Sequence, residues 1–349
     1  MNTDFQHLMS EATRLTREGD LRGATALLMR QAHGNAAGDT GAPVVDDVIE
    51  AEVRVIDEAP APAAERAPAE SWSAHRFSHQ GRQIAYRLYV PARAADAPRP
   101  PLIVMLHGCT QDAQDFATGT RMNILAREAG AIVLYPEQTQ HANAQKCWNW
   151  FKPQHQRRER GEPALLAALT REIVATQGAD PARVYVAGLS AGGAMADILG
   201  RTHPDLFAAV GVHSGLPAGA AHDLPSALAA MRGGPAVAIT DGPAPPTVVF
   251  HGDADATVHA RNGTAVADAA RRARGATGAA EVTQGPRFTR TRHAAADGAS
   301  AVEHWQLHGT GHAWSGGSAG GSYTAPGGVD ASAEMLRFFL GHRLHLPTT

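Results

Sequence analysis

Apolar residues follow two different periods along this chain, and each period predicts one kind of element. Short continuous apolar runs, such as residues 101–106, are typical of strands that are buried on both faces of a sheet. Segments such as 163–177 instead place apolar residues at helical spacing. Because the two kinds of segment alternate, the pattern predicts an α/β fold with a mostly parallel central sheet and helices on both faces.

The predicted elements begin with an antiparallel strand pair, 72–78 and 83–90, around a turn at 79–82. The other predicted strands lie at 101–107, 131–135, 183–187, 207–213, 247–250, 287–293 and 302–307. Predicted helices lie at 117–128, 163–177, 194–200, 224–231 and 331–342. The α/β domain is therefore expected over residues 71–349.

The first 70 residues follow other patterns. Leucine and alanine recur near helical spacing between residues 5 and 32, which predicts a helical N-terminal segment over residues 1–33. Residues 34–70 are rich in alanine, glycine, proline and acidic residues. Such a composition buries too little apolar surface to order the chain, so it predicts a flexible linker.

Composition excludes several classes of partner. Hydrophobic residues make up 44% of the 349 residues and charged residues 19%, which is typical of a globular protein. A net charge of −3 gives no reason to expect nucleic acid. No apolar run reaches the length of a membrane helix, and the N-terminus lacks the basic and apolar regions of a secretory signal. We therefore expect a cytoplasmic protein with no nucleic-acid partner and no integral membrane association.

One short motif has the context of a catalytic serine. Gly188-Leu-Ser-Ala-Gly192 follows a strand-like run and precedes a small-residue helix, the order that a nucleophile elbow requires. The motif predicts that Ser190 projects from the sheet edge. Gly188 and Gly192 are expected where strand and helix approach too closely for a side chain. The pentapeptide is weak by itself, so other segments must support it.

A serine nucleophile needs a base, and that base needs an orienting carboxylate. In the chain order typical of this elbow, the acid comes next and the histidine last. Asp253 and Asp255 both follow the strand at 247–250. Asp253 can instead accept backbone hydrogen bonds in its turn, so we favour Asp255 as the acid. His312, in a glycine-rich loop after the last predicted strand, is the expected base.

Backbone N–H groups are expected to hold the oxyanion that forms during acyl transfer. Ala191, directly after the serine, should supply one of them. Cys109 should supply the other, because it lies in the loop after the strand at 101–106. We interpret the neighbouring His107 as a hydrogen-bonded structural residue.

Cysteines and histidines raise the question of a metal or a disulfide. Cys109 and Cys147 can form one bridge, remain two buried thiols, or share a metal with histidines. His304, His308 and His312 are spaced by four, which would align them on a helix. Because this segment is predicted as strand and loop, we expect no metal and no cofactor.

These segments together resemble the poly(3-hydroxybutyrate) depolymerase-type esterases of the α/β-hydrolase superfamily, relatives of feruloyl and acetylxylan esterases. The resemblance covers residues 72–342. It rests on five motifs in order: Pro101-Leu-Ile-Val-Met-Leu-His-Gly-Cys-Thr-Gln111, Cys147-Trp-Asn-Trp-Phe151, Gly188-Leu-Ser-Ala-Gly-Gly193, His251-Gly-Asp-Ala-Asp-Ala-Thr-Val258 and Gly311-His-Ala-Trp-Ser-Gly-Gly317. It implies an α/β-hydrolase fold, with Ser190 as nucleophile, Asp255 as acid and His312 as base.

The resemblance implies further roles around the site. The oxyanion donors would be Cys109 and Ala191. Cys109 and Cys147 resemble a bridged pair that ties the oxyanion loop to the Trp-Asn-Trp segment, although a disulfide is unusual in a reducing cytoplasm. Three indoles resemble a substrate-lining cluster, although side chains of this size pack equally well in a core; they are Trp148, Trp150 and Trp314.

The predicted function is hydrolysis of hydroxyalkanoate-type esters, either poly- or oligo-3-hydroxybutyrate or related short esters. Secreted members that degrade polymer are expected to carry a signal peptide and a polymer-binding domain, and neither is recognised here. Oligomers or small esters are therefore favoured over crystalline polymer. A feruloyl or acetylxylan esterase is the alternative enzyme. A granule- or partner-binding protein with a vestigial hydrolase domain is the alternative from another class. The sequence leaves the oligomeric state open.

Overall fold

The structure is a computed structural model that describes residues 69–94, 96–234, 243–295 and 300–346. The predicted helical segment over residues 1–33 and almost all of the predicted linker over 34–70 lie outside the described residues. Those two predictions therefore stay predictions, and the fold below concerns the α/β domain.

A ten-stranded sheet forms the centre of the described fold. Its strands are β1 (Ser71–His79), β2 (Arg82–Val90), β3 (Leu102–Leu106), β4 (Ile132–Glu137), β5 (Val184–Leu189), β6 (Ala209–His213), β7 (Thr247–Gly252), β8 (Glu281–Gly285), β9 (Phe288–Ala294) and β10 (Ser300–Leu307). The spatial order is β1-β2-β4-β3-β5-β6-β7-β10-β9-β8. The six strands from β4 to β10 in this order pair in parallel, and the outer strands add antiparallel neighbours.

Helices cover both faces of this sheet, which confirms the predicted fold class. Within the described ranges they are α1 (Ala113–Thr120), α2 (Met122–Ala129), α3 (Gly161–Thr176), α4 (Ala191–Thr202), α5 (Leu224–Met231), α6 (Arg261–Ala273) and α7 (Ala331–Leu340). A 3₁₀ turn at Pro153–Gln156 and a small parallel pair, β11 (Trp314–Ser315) and β12 (Thr324–Ala325), lie in loops. Two apolar clusters, one on each face, explain why the central strands are continuous apolar runs.

One predicted helix, 117–128, is two helices in the structure. Arg121 adopts a left-handed conformation with φ of 57°, and it ends α1 and begins α2. The loop around Gly321 crosses α1 just before this point. A Cβ on Gly321 would lie 2.4 Å from the Cα of Gly119. The break thus lies where a loop about 200 residues away packs against the helix, a contact that local periodicity does not reveal.

Besides the 3₁₀ turn and the short pair β11 and β12, one helix and one strand were absent from the sequence prediction. Helix α6 buries mainly small side chains, with Val266 as its one large apolar buried residue, so it contains few of the large apolar residues that mark the other elements. Strand β8 is a partly exposed edge strand of five residues. Neither has the strongly apolar pattern on which the other elements were predicted.

The sheet order places the candidate chemistry at one edge. Ser190 follows β5, Asp253 and Asp255 follow β7, and His312 lies in the loop after β10. These three strands all run parallel, so their carboxyl ends meet at the same edge of the sheet. Crevices at this edge are the usual ligand sites of open α/β sheets.

Candidate active site

Ser190 lies in a tight turn between β5 and α4. Its φ of 58° and ψ of −118° are strained for a residue with a side chain. Its N–H donates to the carbonyl oxygen of His213 at 2.9 Å, which ties the turn to β6. A Cβ on Gly188 would lie 2.4 Å from the carbonyl carbon of Gly192, and one on Gly192 would lie 2.1 Å from the Leu106 oxygen. Both glycines are therefore required by close backbone approach, as the elbow predicts.

Asp255 and His312 form a buried pair. Oδ2 of Asp255 lies 2.7 Å from Nδ1 of His312, and Oδ1 accepts the N–H groups of Thr257 at 2.9 Å and Val258 at 2.8 Å. Burial alone raises the pKa of Asp255, but hydrogen bonds from His251, His312 and the backbone outweigh it, so the pKa is lowered. The carboxylate is therefore ionised and holds the proton of His312 on Nδ1, which leaves Nε2 as an acceptor.

Asp253 has a different partner. Its carboxylate lies 3.0 Å from Nδ1 of His308 and accepts the N–H of Gly309 at 2.7 Å. The hydrogen bond from His308 is the largest influence on the pKa of Asp253, which is lowered. Asp253 thus organises the turn after β10, and His312 faces Asp255.

The loop after β3 presents a backbone N–H without a protein acceptor. Gly108 N–H donates to Oε1 of Gln111 at 2.9 Å, and Thr110 N–H donates to the Gln145 oxygen at 2.6 Å. Among the hydrogen bonds of the described residues, none has Cys109 N–H or Ala191 N–H as its donor. Two backbone N–H groups without a protein acceptor at one sheet edge suit an oxyanion hole. The donor roles of Cys109 and Ala191 stay predictions.

His107 fixes the conformation of this loop, in agreement with its structural interpretation. It is fully buried, and burial lowers its pKa to about 4. The neutral ring donates from Nδ1 to the Gly108 oxygen at 2.7 Å and accepts Gln138 N–H at Nε2 at 3.0 Å. A neutral histidine has one donor and one acceptor nitrogen, and both are used here.

Cys109 and Cys147 are joined by a disulfide in this structure. The bridge connects the oxyanion loop to the Trp148-Asn149-Trp150 segment. Of the three arrangements that the cysteine count left open, the structure contains the bridge.

A buried glutamate that the sequence analysis missed holds the same segment. Glu162 accepts Asn149 N–H at 2.8 Å, Asn149 Nδ2 at 2.6 Å and Gln138 Nε2 at 2.6 Å. Burial alone raises the pKa of Glu162, but the contact with His155 and the bonds from Asn149 outweigh it, so the pKa is lowered. The only sequence signal is an acidic residue in the first turn of an apolar helix. Such a residue is usually an exposed partner of the helix dipole.

The three tryptophans predicted to line the substrate site are buried. Trp148, Trp150 and Trp314 are 0%, 5% and 1% exposed. Trp148 Nε1 donates to the His107 oxygen at 3.0 Å, and Trp314 Nε1 donates to Ser332 Oγ at 3.0 Å. Their described contacts are thus core packing and hydrogen bonds, and contact with substrate stays a prediction.

His213, at the end of β6, connects the serine turn to the loop of the candidate base. Its carbonyl accepts Ser190 N–H, and its Nε2 accepts Ser315 N–H at 3.0 Å. Burial lowers its pKa to about 3, so the ring is neutral. It stacks on Trp314 with ring centroids 5.0 Å apart. The sequence signal is only a histidine at the end of an apolar run, which identifies no partner.

The histidines spaced by four have separate environments. His304 lies in β10, where burial lowers its pKa to about 4, while His308 pairs with Asp253 and His312 with Asp255. In the part of the chain that the structure describes, no three His, Cys, Asp or Glu side chains are grouped to hold a metal ion. None of the described helices is both long and apolar enough to cross a bilayer.

A sheet of this order, with a serine elbow after β5 and an aspartate–histidine pair beyond it, defines an α/β-hydrolase. The acetyl xylan esterase from Aspergillus awamori has the same fold, with a TM-score of 0.62 and 19% identity over 77% of this chain and 99% of that one. The chain belongs to the esterase PHB depolymerase family, whose profile matches residues 84–294.

Two curated relatives show what this chain resembles in sequence. It is 36% identical over 176 residues to poly(3-hydroxyalkanoate) depolymerase C of Paucimonas lemoignei, which is 46% of this chain and 42% of the relative. It is 35% identical over 129 residues to feruloyl esterase B of Neurospora crassa, which is 37% of this chain and 42% of the relative. The chain therefore spans less than half the length of both relatives.

Proposed function

We propose that the protein is a serine carboxylesterase that hydrolyses hydroxyalkanoate-type esters, such as oligomers of 3-hydroxybutyrate or related short esters. The observation that carries this proposal is the strained elbow at Ser190 together with the 2.7 Å pair of His312 and Asp255 at the same sheet edge. Membership of the esterase PHB depolymerase family supports ester hydrolysis as the reaction.

In the first half of the reaction, Ser190 Oγ attacks the carbonyl carbon of the ester. His312 Nε2 takes the hydroxyl proton, and the carbonyl oxygen becomes an oxyanion held by the N–H groups of Cys109 and Ala191. The tetrahedral intermediate then collapses. The carbon–oxygen bond to the alcohol breaks, and His312 returns its proton to the leaving alcohol. An acyl-enzyme at Ser190 remains.

In the second half, water replaces the alcohol. His312 Nε2 removes a proton from water, whose oxygen attacks the acyl carbon and forms a second oxyanion in the same hole. Collapse breaks the bond to Ser190 Oγ, which regains its proton from His312, and the carboxylic acid leaves. Asp255 stays ionised and stabilises the imidazolium that exists in both halves.

The substrate class rests on the relatives. One relative is named for poly(3-hydroxyalkanoate) and another is a feruloyl esterase, at 36% and 35% identity over their matched segments. Because the two identities are similar, they support ester hydrolysis but do not distinguish the substrates. Feruloyl or acetylxylan esters therefore remain the alternative. Hydroxyalkanoate is the primary proposal because the family profile also carries that substrate's name.

The decisive experiment measures turnover of an ester panel by wild type, Ser190→Ala and Ser78→Ala. The panel runs from p-nitrophenyl acetate through longer acyl esters to 3-hydroxybutyrate oligomers, methyl ferulate and acetylated xylan. Removing a catalytic serine is expected to lower kcat about 10⁵–10⁶-fold. Ser78 is an exposed residue on edge strand β1, four strands from β5, so its variant controls for serine loss.

The panel also separates the alternatives. Highest kcat/KM for the hydroxybutyrate oligomers supports the proposed substrate class, and preference for methyl ferulate or acetylated xylan supports the alternative enzyme. Folded wild-type protein with no Ser190-dependent turnover on any ester would reject the esterase and favour the partner-binding alternative.

A further inference from the structure

Two strained residues meet beside the candidate site although they are far apart in sequence. Thr110 has φ of 66° and Tyr323 has φ of 51°. Bulky and β-branched residues rarely adopt this left-handed conformation, and they do so where the surrounding structure fixes them, often at functional sites. The Thr110 and Tyr323 hydroxyl oxygens are 3.2 Å apart. Both strained positions thus belong to one contact.

The direction of the hydrogen bonds follows from a third group. Thr110 Oγ1 donates to the Cys109 oxygen at 2.6 Å, so its only proton is already used. Tyr323 OH must therefore donate to Thr110 Oγ1. The result is a hydrogen-bond chain from Tyr323 through Thr110 to the carbonyl oxygen of Cys109, the residue whose N–H is the proposed oxyanion donor.

The backbone of Tyr323 is connected to the other side of the site. Its carbonyl accepts Trp314 N–H at 2.7 Å, two residues after His312. Tyr323 therefore spans the gap between the loop of the candidate base and the oxyanion loop. Its side chain is a large aromatic group between these two loops that remains 46% exposed, in contrast to the buried Trp148 and Trp314.

A polar cluster holds the neighbouring residue in place. Ser322 N–H donates to Asp115 Oδ1 at 2.8 Å, and Ser322 Oγ also bonds the Asp115 carboxylate. Gln111 Nε2 donates to the Ser322 oxygen at 3.1 Å and to Asp115 Oδ2 at 2.9 Å. Side-chain and backbone bonds both fix this turn. The ring of Tyr323 is therefore held in one place before substrate binds.

We propose that Tyr323 has two roles in ester hydrolysis, an inference that rests on the function proposed above. Its hydroxyl acts as a positioning group: through Thr110 it holds the Cys109 carbonyl, and with it the backbone conformation of Cys109 in which the N–H receives the oxyanion. Its ring contacts the apolar chain of the ester beyond the reacting carbonyl and so determines specificity. The two roles can be tested separately, because positioning needs only the hydroxyl and specificity needs only the ring.

The test compares Tyr323→Phe, which loses the hydroxyl, with Tyr323→Leu, which also loses the ring. Tyr323→Phe is expected to lower kcat about 3–10-fold for every ester with KM unchanged, a fraction of the effect of deleting an oxyanion donor. Tyr323→Leu is expected to raise KM about 5–10-fold more for long apolar esters than for acetate, because buried apolar contact is lost. Tyr86→Phe, on β2 near the sheet edge, is the matched control.

A second readout separates positioning from a general structural effect. A trifluoromethyl ketone that adds to Ser190 forms an oxyanion in the same hole, so its inhibition constant should rise in Tyr323→Phe by the factor by which kcat falls. Thr110→Val should reproduce this change, and the double variant should add little to either single one. Loss of thermal stability without these kinetic changes would assign Tyr323 a structural role and overturn the inference.

The two proposals fail in different ways. If wild type shows Ser190-dependent turnover but both Tyr323 variants keep wild-type kcat, KM and inhibition constants, this inference alone is wrong. If wild type shows neither Ser190-dependent turnover nor an inhibitor adduct at Ser190, the proposed function is wrong and this inference falls with it.

Discussion

Two aspartate–histidine pairs lie side by side where β7 and β10 end, and they share the same chemistry in different surroundings. The Asp255–His312 pair has an oxygen–nitrogen distance of 2.7 Å, and its side chains are 0% and 12% exposed. The Asp253–His308 pair has a distance of 3.0 Å, and its side chains are 34% and 40% exposed. The aspartates are two residues apart and the histidines four.

The difference shows that burial and fixed donors, rather than residue type, distinguish a candidate catalytic pair from a structural one. Asp255 receives two backbone N–H groups, and its side chain is fully buried, where electrostatic interactions are stronger than in water. Asp253 and His308 compete with water, and an exposed pair contributes little. The buried pair is therefore suited to hold an imidazole in one tautomer.

Replacing the histidines should give the largest contrast between the two pairs. His312→Ala is expected to lower kcat about 10⁵–10⁶-fold because the base for both half-reactions is lost. His308→Ala is expected to lower kcat less than about tenfold, since it removes the exposed contact with Asp253 and a hydrogen bond with Thr289, neither of which involves Asp255 or His312. Turnover of p-nitrophenyl acetate by both purified variants measures the difference. Equal losses would contradict the assignment of His312 as the base.

Replacing the aspartates should give a smaller but clear contrast. Asp255→Asn is expected to lower kcat about 10⁴-fold, because an amide no longer selects the tautomer with an acceptor at Nε2. Asp253→Asn should lower kcat less than about tenfold, because it alters only the turn after β10. The measurement is kcat/KM with circular dichroism as a check of folding. A larger loss in Asp253→Asn would transfer the acid role to that residue.

The smallest expected effect concerns stability in acid. Both aspartate pKa values are lowered in the folded protein, and the shift of Asp255 is the larger. A lowered pKa means that each carboxylate stabilises the fold fully above the ordinary aspartate value, about 3.9, and loses this contribution as the pH falls through the folded value. Between about pH 4 and 2, Tm should therefore decrease less steeply in Asp255→Asn than in wild type, and this difference should be smaller for Asp253→Asn.

Calorimetry from pH 6 to 2 on wild type and both variants measures this slope. Wild type and Asp255→Asn with the same slope would show that other groups carry the acid sensitivity. A steeper change in Asp253→Asn would mean that the exposed pair contributes more than its solvent exposure indicates.

Much of the site was predictable because its parts are defined by near neighbours in sequence. The elbow at Ser190 needs glycines two residues to each side, and those glycines are visible in the motif. Asp255 and His312 could be placed at strand ends because apolar runs mark the strands. Asp253 and Asp255 follow the same strand, however, and the sequence could favour one of them without deciding which carboxylate meets His312.

The features that the sequence did not predict involve contacts between distant segments of the chain. The break at Arg121 lies next to the crossing of the Gly321 loop, and Glu162 reaches Asn149 from another element. The buried positions of the tryptophans likewise follow from what packs around them. The sequence analysis predicted no role for Tyr323, because the role proposed for it rests on its contact with Thr110.

The sequence by itself determined the α/β class, the chain order of the candidate serine, acid and base, and the elbow, since strand periodicity and close backbone approach are set within a few residues. The tertiary structure decided which aspartate meets which histidine, through the register that places Leu307 opposite Gly252 at the ends of β10 and β7. It also decided which aromatic side chain remains open at the site. Burial and pairing depend on residues far apart in the chain, so only the assembled fold determines them.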